Sequence, residues 1–556
     1  MRLPSLVTTA ALVCAGVLSA CASLPGMGAP SDGLAFSEAR LMQDIRVISD
    51  DSYLGRGIAT EGETKTVQHS STSAQLAGFG PGGENGGWTQ DVTLNRFTAS
   101  NIHGLHFQVG GETVVLNQGQ DIVVSTRLPG HHVMLDHVPM VFVGYGIKAP
   151  ERNWDDFKGM DLRGKVLVVL VNDADFEEPA LDTFGGRTMT YYGRWTYKCE
   201  EAARQGAAGM IIVHETAPAS YGWATVNNSW SGPQFDIVRE NAAAERIPME
   251  AWIQRNTAVD LFRRAGLDFE ALKTQARSRD FRPVELGDAT FSGMFDVATS
   301  QVVTQNVIAR LDGTTHPDES ILYTGHWDHI GVGDPDANGD TIFNGAVDNA
   351  SGTAGLLELA RHFSAGPRPE RSIVMISFTA EESGLLGSEF FAANPVVPLD
   401  KVVAGFNIDA MNVYGRVDNL GIIGFGQSYL DELLTAAAAR QGRGVTPDEN
   451  PAAGSYFRSD HFPLAKRGVP MACRGGGEFR DAPTADREAL RSEYGTRRYH
   501  QADDEIQPGW DLRGMIEDLE VIYWIGRDLA NSRDWPEWKP TSEFRHIREA
   551  SDRSRR

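Results

Sequence analysis

Between residues 306 and 529 the chain repeats one theme: a short apolar run, a polar loop, then a stretch with helical spacing. Ile321–Thr324, Ser372–Phe378 and Val402–Ile408 are apolar runs of strand length, the pattern of strands buried on both faces. Gly352–Phe363 and Leu512–Leu529 read as helices. The second puts Leu512, Met515, Ile516, Leu519, Ile522, Tyr523 and Leu529 on one face. Strands alternating with helices predict an α/β fold built on a mainly parallel mixed sheet flanked by helices. Upstream, Val138–Gly144, Lys165–Val171 and Met210–Val213 read as strands and Tyr197–Gly206 as a helix, giving a smaller, strand-rich α/β unit. Ala35–Ile48 predicts a helix, and the polar, Gly-rich Ser70–Trp88 a loop.

At 556 residues the chain exceeds the ~250–300 at which one core stops growing, so at least two domains are expected. A net charge of −23, with no block of Lys or Arg, would repel phosphate backbones and argues against a nucleic-acid partner. The N-terminus reads as a targeting segment. Arg2 is followed by an apolar stretch, Leu6 to Leu18, too short for an ordinary membrane span. It ends in Leu18-Ser19-Ala20-Cys21, which resembles a bacterial lipoprotein cleavage box. That resemblance implies an exported protein on the periplasmic side, an outer-membrane lipoprotein given Ala22, touching the membrane only through a lipid anchor on Cys21. Residues 1–21 are then the signal segment and 22–33 a Gly/Pro/Ser/Ala-rich tether.

Of the four cysteines, Cys14 leaves with the signal and Cys21 carries lipid. Cys199 and Cys473 remain, far apart in sequence, and two buried free thiols are expected. A cysteine-ligated metal site is excluded by count.

Each of the three strands between residues 321 and 408 runs directly into metal-capable side chains. Ile321–Thr324 leads to Gly325-His326-Trp327-Asp328-His329, Ser372–Phe378 to Thr379-Ala380-Glu381-Glu382, and Val402–Ile408 to Asp409. In open parallel sheets ligands bind outside the carboxyl ends of the strands, so these residues are expected to converge in one crevice. Asp348 precedes a helix in Asn344-Gly345-Ala346-Val347-Asp348-Asn349, and His500 lies in a loop before the last helix. Singly, a Glu-Glu pair or a lone histidine is an ordinary surface feature; their coincidence at one crevice is not. Asp334-Pro335-Asp336-Ala337-Asn338-Gly339-Asp340 mimics the start of a calcium loop, but Gly345 stands at the twelfth position, so a polar turn is expected.

Taken in order, His326-x-Asp328, Asp348-Asn349-x-x-Gly352, Glu381-Glu382, Asp409 and the distant His500 resemble the M28 zinc peptidases, of the secreted bacterial aminopeptidase type, over residues 300–530. Tyr191-Tyr192-Gly193-Arg194-Trp195 with Gly206-Ala207-Ala208-Gly209 resembles the protease-associated domain, which implies a lid or wall without catalytic residues. The resulting partition is 34–130 as the N-terminal part of the peptidase domain, 131–290 as the insert, 291–535 as a catalytic domain of zinc exopeptidase type, and 536–556 as a polar tail. Val67–Phe79 looks irregular where the family usually has a helix.

The resemblance implies two Zn²⁺ per chain. His326 and Asp409 would hold one, Glu382 and His500 the other, with Asp348 bridging both. Imidazole and carboxylate without thiolate suit a catalytic rather than a structural zinc. Asp328 would orient His326, and Asp504 would do the same for His500. Glu381 would be the general base to a metal-bridging hydroxide, Tyr499 a donor to the oxyanion, and Ser459-Asp460-His461 a pocket-shaping segment. The implied activity is release of N-terminal amino acids from peptide substrates, and the sequence does not specify an oligomeric state. Rivals are a carboxypeptidase or dipeptidase, with Arg458, Arg467 or Arg474 holding a substrate carboxylate, a glutaminyl cyclase, and a non-catalytic receptor.

Overall fold

The computed structural model describes residues 35–555; the signal segment, Cys21 and the 22–33 tether lie outside them. One long mixed sheet organises the chain. In its first half Met471–Arg474, Val402–Asn407, His316–His326 and Arg371–Phe378 lie side by side and parallel. In its second half His132–Phe142, Val166–Leu170, Gly209–His214 and Met249–Gln254 form another parallel set. The strand Val284–Leu311 runs antiparallel between them, pairing with Arg371–Phe378 near its end and with His132–Phe142 near its start. The fold is the expected mainly parallel sheet flanked by helices.

Successive strand residues point to opposite faces, and both faces are covered. In the first half Ile321 and Tyr323 pack under the helices Gly352–Ala365 and Arg513–Ala530, whereas Leu322 faces Phe391 and Leu464 on the other side. The second half repeats this, Val168 and Leu170 entering one core and Leu167 and Val169 another. Its buried set runs from Phe97 to Val297, so strands upstream of residue 131 share this core. Cys199 and Cys473 are free and buried, as expected. No helix among the described residues is long and apolar enough to cross a membrane.

The expected loop at Ser70–Trp88 and the irregular Val67–Phe79 are corrected by a helix, Glu61–Leu76. Its buried face is Gly62, Glu63, Thr66, Ser70, Ser73 and Ala74, so it carries no apolar stripe for a periodicity reading to find. It is held by polar contacts instead. Thr60 caps the first turn through Gly62 N–H at 3.1 Å, and Glu63 accepts from Thr304 Oγ1 at 2.8 Å. Gly62 cannot carry a side chain, because its Cβ would sit 2.0 Å from the Tyr53 carbonyl oxygen.

Candidate metal centre

The strand ends deliver the cluster as the topology requires. His326 is the last residue of its strand, Glu381 and Glu382 follow Phe378, and Asp409 lies two residues beyond Asn407. Asp348 comes from the loop ahead of Gly352–Ala365, and His500 from the loop after Arg498. Asp348 stands between the histidines with one oxygen for each: Oδ1 is 3.2 Å from His326 Nε2 and Oδ2 is 3.4 Å from His500 Nε2. On the outer sides Asp409 Oδ1 is 3.3 Å from His326 Nε2, and Glu382 Oε2 is 2.9 Å from His500 Nε2. Single donor atoms of His326, Glu381 and Asp409 lie within 4.8 Å of one another, as do those of His326, Asp348 and Glu382.

The donor set fits divalent cations. His326 Nδ1 is 3.1 Å from the Asp328 carbonyl, which can only accept, so Nδ1 keeps its proton and Nε2, facing the carboxylates, is the nitrogen that would give up its proton to a metal. Burial alone would keep both imidazoles neutral. For His326 the charges of Glu381 and Asp409 outweigh it and raise the group well above its ordinary range; for His500, Glu382 and Asp348 push it up to about 10. The cluster demands positive charge at the positions a metal pair would take.

The adjacent glutamates are split by their surroundings. Burial tends to raise Glu382, but the charge of His500 and the hydrogen bond from His329 outweigh it and hold it at about 2. Burial raises Glu381 well above the carboxylate range, helped by the charges of Asp409 and Glu382 and opposed by His326. Two carboxyls with opposed environments are the arrangement that separates a ligand from a proton carrier.

The supporting residues differ in part from expectation. Asp328 holds His326 through its backbone carbonyl; its carboxylate lies 3.8 Å from Nδ1 and accepts instead from the N–H groups of Glu381 at 3.1 Å and Glu382 at 3.4 Å. It therefore sets the Glu-Glu turn rather than the ring. Asp504 does not meet His500. Its oxygens accept from Val347 N–H at 3.0 Å and Asp348 N–H at 3.1 Å, fixing the bridging loop. The His500 ring is met by Ser229 Oγ, 3.1 Å from Nδ1, and Asn228 Nδ2 donates to its carbonyl at 3.0 Å. Both come from the 131–290 segment, which thus reaches the cluster itself.

Two further residues were not singled out from sequence. His329, kept neutral by burial, lies 2.5 Å from Glu382 Oε1 through Nδ1. Its place in His326-Trp327-Asp328-His329 was the available signal. Arg56 is fully buried and donates to the carbonyls of Trp327 at 2.8 Å, Asn344 at 2.5 Å and Gly345 at 2.8 Å, clamping the two loops together. Nothing in its sequence surroundings marks it.

A cavity of about 580 Å³ opens beside Glu381, Glu382 and His500, with Tyr499 on its wall. The Tyr499 ring stacks on His500 at 4.0 Å, and burial raises its phenol well above the ordinary value, so it keeps its O–H. Ser459, Asp460 and His461 are buried behind the wall instead of lining it; Ser459 Oγ donates to Asp409 Oδ2 at 2.6 Å. Of the three arginines, Arg458 lines the cavity, Arg474 pairs with Asp518, and Arg467 is exposed. In the would-be calcium loop, Asp336 accepts from the N–H groups of Asn338 and Asp340, a polar turn.

Residues 306–520 match Peptidase family M28. A probable zinc metalloprotease of Pyrenophora teres f. teres (strain 0-1) is 41% identical over 103 residues, 18% of this chain and 22% of that protein. A probable glutamate carboxypeptidase of Arabidopsis thaliana is 30% identical over 164 residues, 29% of this chain and 22% of that protein. The matched stretches thus span 22% of the length of these curated relatives. Among solved structures, an aminopeptidase from Aneurinibacillus sp. strain AM-1 shares the fold with a TM-score of 0.51 at 17% identity, over 91% of this chain and 95% of that one.

Proposed function

We propose, on the premise that residues 306–520 are a Peptidase family M28 domain, that this chain is a di-zinc exopeptidase releasing N-terminal amino acids from peptides. The observation that carries the reading is Asp348, whose two oxygens face two different imidazoles, each flanked by a further carboxylate. His326 and Asp409 would hold one ion, His500 and Glu382 the other, and Asp348 both. Bound there, zinc supplies Lewis acidity to a peptide carbonyl and to water. Glu381, at the cavity edge and not needed as a ligand, takes the proton from the attacking water and returns it to the leaving amine. The Tyr499 O–H donates to the oxygen on which charge develops. The carboxylates around the cluster offer partners to a substrate ammonium.

A carboxypeptidase is the second reading, favoured by Arg458 on the cavity wall. Elemental analysis should find two zincs per chain. Amino-acid arylamides should be hydrolysed and N-acetylated peptides spared. Cleavage of the acetylated peptides from the C-terminal end would replace the aminopeptidase reading, and a zinc-free protein would remove both.

A further inference from the structure

Most basic side chains around the cavity face a carboxylate of the chain itself. Arg127 pairs with Glu250 at 2.9 Å, Arg204 with Glu201 at 2.6 Å, Arg239 and Arg246 both with Asp236 at 2.8 Å, and Lys466 with Glu389 at 3.0 Å. Arg194 and Arg458 break the pattern. Among the described residues neither has a carboxylate in salt-bridge range, and the Nε of each is buried without a hydrogen-bond partner. Arg458 is nevertheless held in place. Its Nη2 donates to the Ala219 carbonyl and to Ser220 Oγ, both at 2.8 Å, and its guanidinium lies over the Tyr221 ring at 5.0 Å.

The two guanidiniums are neighbours. Burial, then the charge of Arg458, lowers Arg194 to about 10, which leaves it protonated at neutral pH. Both line the cavity that opens beside Glu381, Glu382 and His500, on whose wall the Tyr499 ring stacks on His500. A chain with a net charge of −23 has carboxylates to spare, yet puts none against these two cations. Enclosing like charges without a counterion opposes folding, and an arginine fork binds a carboxylate through two parallel N–H bonds. The missing partner is therefore an anion that arrives with the substrate.

We propose that Arg194 and Arg458 form a carboxylate-binding subsite, so that the preferred substrates of the peptidase centre carry a carboxylate, on an acidic side chain or at a free C-terminus. This rests on the peptidase reading for its substrates, but not for its ligand chemistry.

The test uses the zinc-loaded full chain and matched substrates: Glu against Gln and Asp against Asn in otherwise identical peptides, and free C-termini against C-terminal amides. A charge-assisted bidentate contact is worth roughly 10–100-fold in kcat/KM. One of the two ratios should reach at least about tenfold in favour of the carboxylate. Which one does so identifies the source. The ratio should collapse towards one in Arg194→Gln and be partly kept in Arg194→Lys. Ratios within twofold of one in both arms, with measurable turnover, would overturn the subsite while leaving the peptidase reading intact. If no peptide is cleaved, the peptidase reading fails, and calorimetric titration with glutarate decides the subsite alone. Roughly tenfold weaker binding by Arg194→Gln than by the unmodified protein supports it, and equal binding overturns it. The unmodified protein's own ratios need no variant, so a poorly folding Arg194→Gln does not rescue the idea.

Discussion

Arg56→Met is the most searching test of the cluster's construction. The arginine is fully buried and donates to five backbone carbonyls, the strongest being Trp327, Asn344 and Gly345 at 2.5–2.8 Å, with Ile48 at 3.2 Å and Asp348 at 3.4 Å. Hydrogen bonds from a charged donor contribute about 1.5–3 kcal/mol each, so the three short ones amount to about 5–9 kcal/mol. Burying the charge costs several kcal/mol in return. A net loss of about 3–5 kcal/mol is expected, a large part of the ~5–15 kcal/mol that keeps a protein folded. Methionine fills much of the volume but leaves the carbonyls unpaired. Arg56 also acts on Asp504, Asp348, Asp328 and Glu382, whose mutual repulsion it relieves. Zinc would relieve the same repulsion, so the damage should be larger in chelator-stripped protein. Calorimetry of both forms should show Tm falling by on the order of 10 °C, more without metal than with it. Arg56→Lys keeps the charge without the fork and should recover only part of the loss. A fall of under about 2 °C in the stripped form would refute the clamp.

The remaining predictions concern the cluster and one buried histidine behind the cavity wall. Glu381→Gln should keep both zincs and cut kcat by roughly 10²–10⁴-fold, whereas Glu382→Gln should lose metal; metal analysis with kinetics would expose swapped roles. Ser229→Ala should weaken the His500-side ion by roughly 10–100-fold in a zinc-competition assay, and an unchanged affinity would deny that the ring is oriented from the 131–290 segment. His461 is lowered to about 4 by burial. Its folded value lies below the unfolded ~6.5, so its contribution is complete above pH 6.5 and is lost as pH falls towards 4, about 3 kcal/mol in all. Tm should decline over that window, and His461→Leu should flatten the decline.

The strands and the residues at their ends were legible because burial on two faces leaves an uninterrupted apolar run, and because a parallel sheet gathers the residues just beyond such runs. Asp348 and His500 were legible through resemblance, since nothing in a loop's own periodicity marks a ligand. The helix Glu61–Leu76 was illegible for a physical reason: small polar side chains let it pack closely, and its stability comes from Thr304 and a tight backbone approach, not from an apolar stripe. Asp328 was found as the partner of His326, although it meets the ring through its backbone carbonyl and turns its carboxylate to the Glu-Glu turn, whereas Asp504 was given the wrong partner. A carboxylate next to a histidine in sequence is as free to accept from a backbone N–H as from the ring, and only the three-dimensional turn decides. Arg56 and Ser229 act across 288 and 271 residues of chain, where no local pattern survives.

That separation sets an order of assembly. At ~5–20 residues per second of synthesis, the 288 residues between Arg56 and the Asn344 carbonyl take roughly 15–60 s to emerge. Throughout that interval the clamp exists without the loop it closes on, and Ser229 waits nearly as long for His500. The acidic cluster is therefore completed only once residue 500 has emerged, and any chain cut short before it carries its carboxylates without their second histidine.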